Sequence, residues 1–119
     1  MPPVDAPTLP DAGRTVEYLQ EISRELRGCA IFREGGEVLA ASGDSEAWAD
    51  AGRDLIVASD TAGEEPVAYA HVATADGEAF CIRESGYVAV AVTERFTLAS
   101  LMIFDMRNAL RLLAATERA

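Results

Sequence analysis

The segment Tyr87-Val88-Ala89-Val90-Ala91-Val92 is the longest unbroken apolar run in this chain of 119 residues. A strand wetted on one side alternates apolar with polar residues. This run does not alternate, so it is predicted to be covered on both faces, in the middle of a sheet. It falls far short of the roughly 18 apolar residues that a membrane span requires. On its N-terminal side, Ser85-Gly86 turns the chain back into a strand with Phe80 and Ile82 on one face and Ala79, Cys81 and Arg83 on the other. Asp76-Gly77 makes a second hairpin turn. It leads back to a strand in which Val67, Tyr69, His71 and Ala73 alternate with Ala68, Ala70, Val72 and Thr74. Pro66 marks the start of that strand or a sheet edge. On the C-terminal side, Thr97 caps a helix predicted to run to about Ala115. Its Leu98, Leu101, Met102, Ile103, Met106, Ala109, Leu110, Leu112 and Leu113 span an arc of about 200°, twice the width of an ordinary surface stripe, which predicts contacts on two sides. Asp105 is the acid within that arc, and Phe104 is the large apolar residue outside it.

The N-terminal half supplies the remaining elements. Between Arg14 and Arg27, the residues Val16, Leu19, Ile22 and Leu26 share one side of a helix, with Asp11 as cap, Gly28 as stop, and Glu17, Glu21 and Glu25 facing solvent. Two short strands follow, Cys29 to Arg33 and Glu37 to Ala41, joined at Glu34-Gly35-Gly36. A middle helix is predicted from Asp44 or Ser45 to about Ser59. Ala47, Trp48, Ala51, Leu55 and Ala58 lie on one face of it with Gly52, while Ile56 and Val57 lie off that stripe and indicate a second contact. The order is α-β-β-α-β-β-β-α. It predicts an α/β (α+β) fold, a five-stranded, mostly antiparallel sheet with helices on both faces. Four prolines in the first ten residues make 1–11 an expected flexible arm, with 12–119 as the folded domain.

Composition excludes several functions. Ten arginines against eight aspartates and twelve glutamates give a net charge of −10. No nucleic acid is expected as a partner, because phosphate binding needs a basic patch. Lysine is absent altogether. This removes the phosphate-gripping lysine of a P-loop and the lysine nucleophile or base. The N-terminus carries neither a basic residue nor an apolar stretch, so no signal peptide and no membrane insertion are expected. Two cysteines without a secretory signal fit a reducing cytoplasm.

Individual residues point the same way. Cys29 and Cys81 each fall on a strand and read as buried core thiols. His71 is the sole histidine, with Asp76 as its nearest acid in sequence, and reads as a half-buried residue at a sheet edge; no metal and no cofactor are expected. Gly35-Gly36 reads as a hairpin turn, because no helix N-terminus follows it to hold a phosphate. Asp105 is expected to meet an arginine of the first helix. Trp48, Ile56 and Val57 fit core packing and an interface equally well. No nucleophile and base stand out, so the chain is not expected to be an enzyme.

Gly28-Cys29-Ala30-Ile31-Phe32-Arg33-Glu34-Gly35-Gly36-Glu37-Val38-Leu39-Ala40-Ala41-Ser42-Gly43 resembles the first hairpin of the roadblock/LC7 family, and Leu98 to Leu113 is similar to its aliphatic C-terminal helix. The element order is shared with profilin-like folds. The resemblance covers residues 14 to 115. It implies a homodimer in which edge strands pair and the middle helices lie side by side, and a role in regulating or scaffolding a Ras-like small GTPase. On this sequence it implies Val67, Tyr69 and His71 in the pairing edge, and Trp48, Ile56 and Val57 at the dimer or partner face. Two His71 side chains are then expected to approach each other and to weaken the dimer below about pH 6.5, where imidazole charges. The alternative is a small-molecule sensor domain of PAS/GAF-like type, which requires an internal cavity of at least about 300 Å³.

Overall fold

The computed structural model describes residues 9–33, 37–42, 54, 69–95 and 98–118. Its elements are α1 (Ala12–Ile22), β1 (Leu26–Arg33), β2 (Val38–Ala41), β3 (Tyr69–Ala73), β4 (Glu78–Glu84), β5 (Tyr87–Thr93) and α2 (Ala99–Arg118). The five strands form one sheet in the order β2-β1-β5-β4-β3, and every neighbouring pair is antiparallel. The apolar run is the central strand, as expected. Ala89 pairs with Ile31 on one side and Ile82 on the other. Of the predicted middle helix only Asp54 is described, and it is helical. The Gly35-Gly36 turn and Thr97 lie outside the described residues.

Alternation along the strands separates two apolar layers. Cys29, Ile31, Phe80, Ile82, Tyr87, Ala89 and Ala91 face α1 and α2, where they meet Val16, Leu19, Met102, Met106, Leu110 and Leu113. Ala30, Phe32, Cys81, Val88 and Val90 form the core of the opposite face. Phe32 and Phe80, one on each face, have no exposed surface. Each such side chain contributes about 1.5 to 3 kcal/mol through burial. Both described helices share one face, α1 over β1 and β2, α2 over β4 and β5.

Two expectations are corrected. The first helix ends at Ile22 rather than Arg27. Ser23 leaves the helix with φ −128° and ψ 107°, and its N–H donates to Leu19 O at 3.1 Å. Leu26 then joins the sheet opposite Thr93, so ladder bonds to β5 override the helical periodicity, and Gly28 sits at a register irregularity of β1 instead of a helix stop. Ahead of α1, Leu9 is fully buried in the helix-side core, and Asp11 Oδ1 accepts from Arg14 N at 2.8 Å as the expected cap. Secondly, the buried stripe of α2 is narrower than the apolar arc. Met102, Met106, Ala109, Leu110 and Leu113 are buried, whereas Leu98 and Leu101 are 65% and 53% exposed.

The two turns flanking β4 use glycine for different reasons. At Ser85-Gly86 both residues have positive φ, 57° and 84°, the two-residue hairpin turn that matches strand twist. Gly77 is not left-handed; a Cβ there would stand 2.5 Å from Thr93 O and 3.1 Å from Arg27 Nη1. Arg27 reaches across this end of the sheet to donate to Asp76 O at 2.7 Å. The turn itself is tied by Thr74, whose Oγ1 donates to Gly77 O at 2.9 Å and whose N–H donates to the same oxygen at 2.8 Å.

Gly77→Ala is therefore expected to cost about 1 to 3 kcal/mol, through overlap with backbone that cannot yield. Gly86→Ala meets no atom within 4 Å, and its cost is expected to be about 1 kcal/mol, from positive φ alone. Urea unfolding of the two variants checks the ranking. Burial pushes the Cys29 thiol up to about 12, and Cys81 is also buried. A thiol reagent at neutral pH is expected to modify neither until denaturant is added; rapid labelling of the native protein would contradict the packing described above.

Candidate interaction surfaces

β3 is bonded on one side only among the described residues, so it is a sheet edge, as the sequence predicted. An edge offers a row of backbone donors and acceptors to another strand. Tyr69 lies opposite Ile82 and so belongs to the helix-side face, while Ala70 packs with the core of the other face and Val72 shares its side. Tyr69 is 52% and Val72 45% exposed. One edge thus carries an uncovered apolar side chain on each face. Trp48, Ile56, Val57 and Val67, the other residues of the expected interface, lie outside the described residues.

His71 is tied into its own hairpin. It stacks on Phe80, ring centroids 4.3 Å apart and planes 6° from parallel, and its Nε2 lies 2.8 Å from Glu78 Oε1. The Glu78 side chain is only 9% exposed. Sequence reasoning named Asp76 as the nearest acid and missed this one. Hairpin register was the available signal, because His71 pairs with Phe80 and Glu78 is the diagonal neighbour two residues away.

A second apolar surface was not foreseen. Among the described residues, the large exposed apolar side chains other than Tyr69 and Val72 are Ile22, Leu98, Leu101 and Phe104, all near the end of α1 and the start of α2. Ile22, Ser23, Glu25, Leu98, Leu101, Met102 and Asp105 line a hollow between the two helices. The expectation that Asp105 meets an arginine of α1 is wrong. Arg14, the basic residue of α1, is engaged by Glu21 at 3.0 Å and Glu17 at 3.5 Å. Asp105 has no ion pair among the described residues, and desolvation raises its carboxyl above the usual carboxylate range.

The Glu84 carboxylate holds the other end of α2, accepting from Arg111 Nε at 2.7 Å with Arg107 Nε at 3.8 Å. Three hollows walled by described residues measure about 50, 150 and 240 Å³, each below the roughly 300 Å³ of a small-molecule site. Among the described residues, no three His, Cys, Asp or Glu side chains are grouped to hold a metal ion. Nor is any helix there long and apolar enough to cross a membrane.

No family model matches the chain. A search of curated proteins finds no match either. Solved structures do match. A roadblock/LC7 domain from Streptomyces avermitilis superposes with a TM-score of 0.73 at 16% identity, covering 91% of this chain and 96% of its own. The gliding protein MglB from Thermus thermophilus gives 0.68 at 18% identity, covering 88% and 90%. MglB from Myxococcus xanthus gives 0.67 at 12% identity, covering 90% and 84%. Likeness of this extent at so low an identity is one of architecture, and the chain adopts the roadblock/LC7 fold.

Proposed function

We propose that this chain is a non-enzymatic, cytoplasmic interaction module that homodimerises through β3 and regulates a Ras-like small GTPase. The observation that carries the reading is the open edge of β3, with Tyr69 and Val72 uncovered on its two faces, in a chain with the roadblock/LC7 fold. Antiparallel pairing of two such edges would satisfy both rows of backbone groups and continue the sheet across two subunits. The GTPase partner rests on the family resemblance in residues 28–43 and 98–113, which the shared fold supports. In this reading the module supplies no chemistry of its own. What it contributes to hydrolysis or localisation of the GTPase is made by contact.

His71 does not offer a bare ring to a paired edge, because it stacks on Phe80 and its Nε2 is held 2.8 Å from the nearly buried Glu78 carboxylate of the same chain.

Light scattering at micromolar concentration is expected to give twice the 12.7 kDa mass of the chain, and a Tyr69→Lys, Val72→Asp double variant is expected to be a folded monomer. A wild-type monomer would overturn the dimer. A Ras-like GTPase from the same genome, loaded with a non-hydrolysable GTP analogue, is expected to bind the wild-type protein in calorimetry; absence of heat with every such GTPase of that genome counts against the partner.

A further inference from the structure

Pairing of β3 edges leaves the groove between α1 and α2 uncovered. It lies on the side of α2 that faces α1, and α1 in turn packs over β1 and β2, at the opposite side of the sheet from β3. Leu98 and Leu101 line it, 65% and 53% exposed, with Ile22 of α1 42% exposed beside them, and Phe104, 64% exposed, continues their three-residue spacing along α2 just outside the hollow. Apolar side chains at this spacing form a ridge about 9 Å long, the kind of surface against which a second helix packs. The hollow at its foot, about 50 Å³, has room for one inserted side chain and is several times too small for a metabolite.

The charge at the groove identifies its occupant. Glu25 and Asp105 both line it, no basic side chain does, and Asp105 has no ion pair among the described residues. We propose that this groove is a docking site for an amphipathic helix of another protein, with apolar anchors against Leu98, Leu101 and Phe104 and an arginine or lysine against Asp105 and Glu25. A second copy of the chain fits poorly. Its own groove would bring two more carboxylates into a contact between chains that each carry a net charge of −10. Desolvation of Asp105 favours a cation for the same reason, because a carboxylate among apolar neighbours gains more from an opposite charge than one in water. The site does not depend on β3 or on the GTPase reading, and it allows one dimer to hold a second partner at each outer flank.

The test uses the full chain and two fluorescent helical peptides of roughly four turns, each with leucines at i, i+3, i+4 and i+7. One carries lysines on both flanks of the leucine stripe, and the other carries glutamates there. Fluorescence anisotropy is expected to show the lysine peptide binding at least about tenfold more tightly than the glutamate peptide. Leu101→Asp and Phe104→Ser should each weaken it about tenfold with the melting temperature retained, and Asp105→Asn should weaken it several-fold and flatten its salt dependence. The proposal is overturned if the lysine peptide does not bind, or if it binds equally to Leu101→Asp and Phe104→Ser, which would make the attraction one of bulk charge. It is also overturned if Leu101→Asp alone lowers the sedimentation coefficient of the protein, since the groove would then be covered by a second copy.

Discussion

A strand that is hydrogen-bonded along both edges and packed on both faces cannot slide, and β5 is held in this way. Shifting it by one residue would exchange Ala89 and Ala91, which face the helices, for Val88 and Val90, which face the other core. That exchange would put valines on the face that α2 covers and alanines where Phe32 needs filling volume. Both neighbours inherit their register from it. β1 brings Phe32 opposite Val88, and β4 brings Cys81 opposite Val90. The position of β3, and with it the open edge, then follows from the tied turn at Thr74 to Gly77.

Much of this architecture is legible in the chain because it is written in patterns of period two and in turn residues. The central strand shows itself by failing to alternate, the Ser85-Gly86 turn by its residue types, and the Asp11 cap by its place before the first apolar stripe. The errors arise where a tertiary contact overrides a local pattern. Leu26 continues the helical period of Val16, Leu19 and Ile22, yet the ladder with Thr93 claims it. The wide apolar arc of α2 reads as two buried contacts. One of those contacts is an uncovered surface, and hydrophobicity alone does not distinguish a missing partner from a core.

The residues expected at an interface divide along the same line. The edge position of β3 follows from the strand order, whereas Tyr69 and His71 as pairing residues rest on the family resemblance. The pairing of His71 with Glu78 depends on register across a hairpin, and the isolation of Asp105 depends on where α1 stops; neither is set by spacing along the chain. A helix running on to Arg27 would have carried Arg24 and Arg27 one turn further along α1. Instead Ser23 ends it, and Arg27 leaves α1 to strut the far end of the sheet at Asp76.

The Ser85-Gly86 turn is exposed and has nothing within 4 Å of the position a Gly86 side chain would take. It sits at the opposite end of β5 from the strut and the interhelical groove, about 20 Å along a seven-residue strand. For anyone wishing to attach a dye or an affinity handle, added bulk at this turn would sit at the far end of β5 from the groove between the helices.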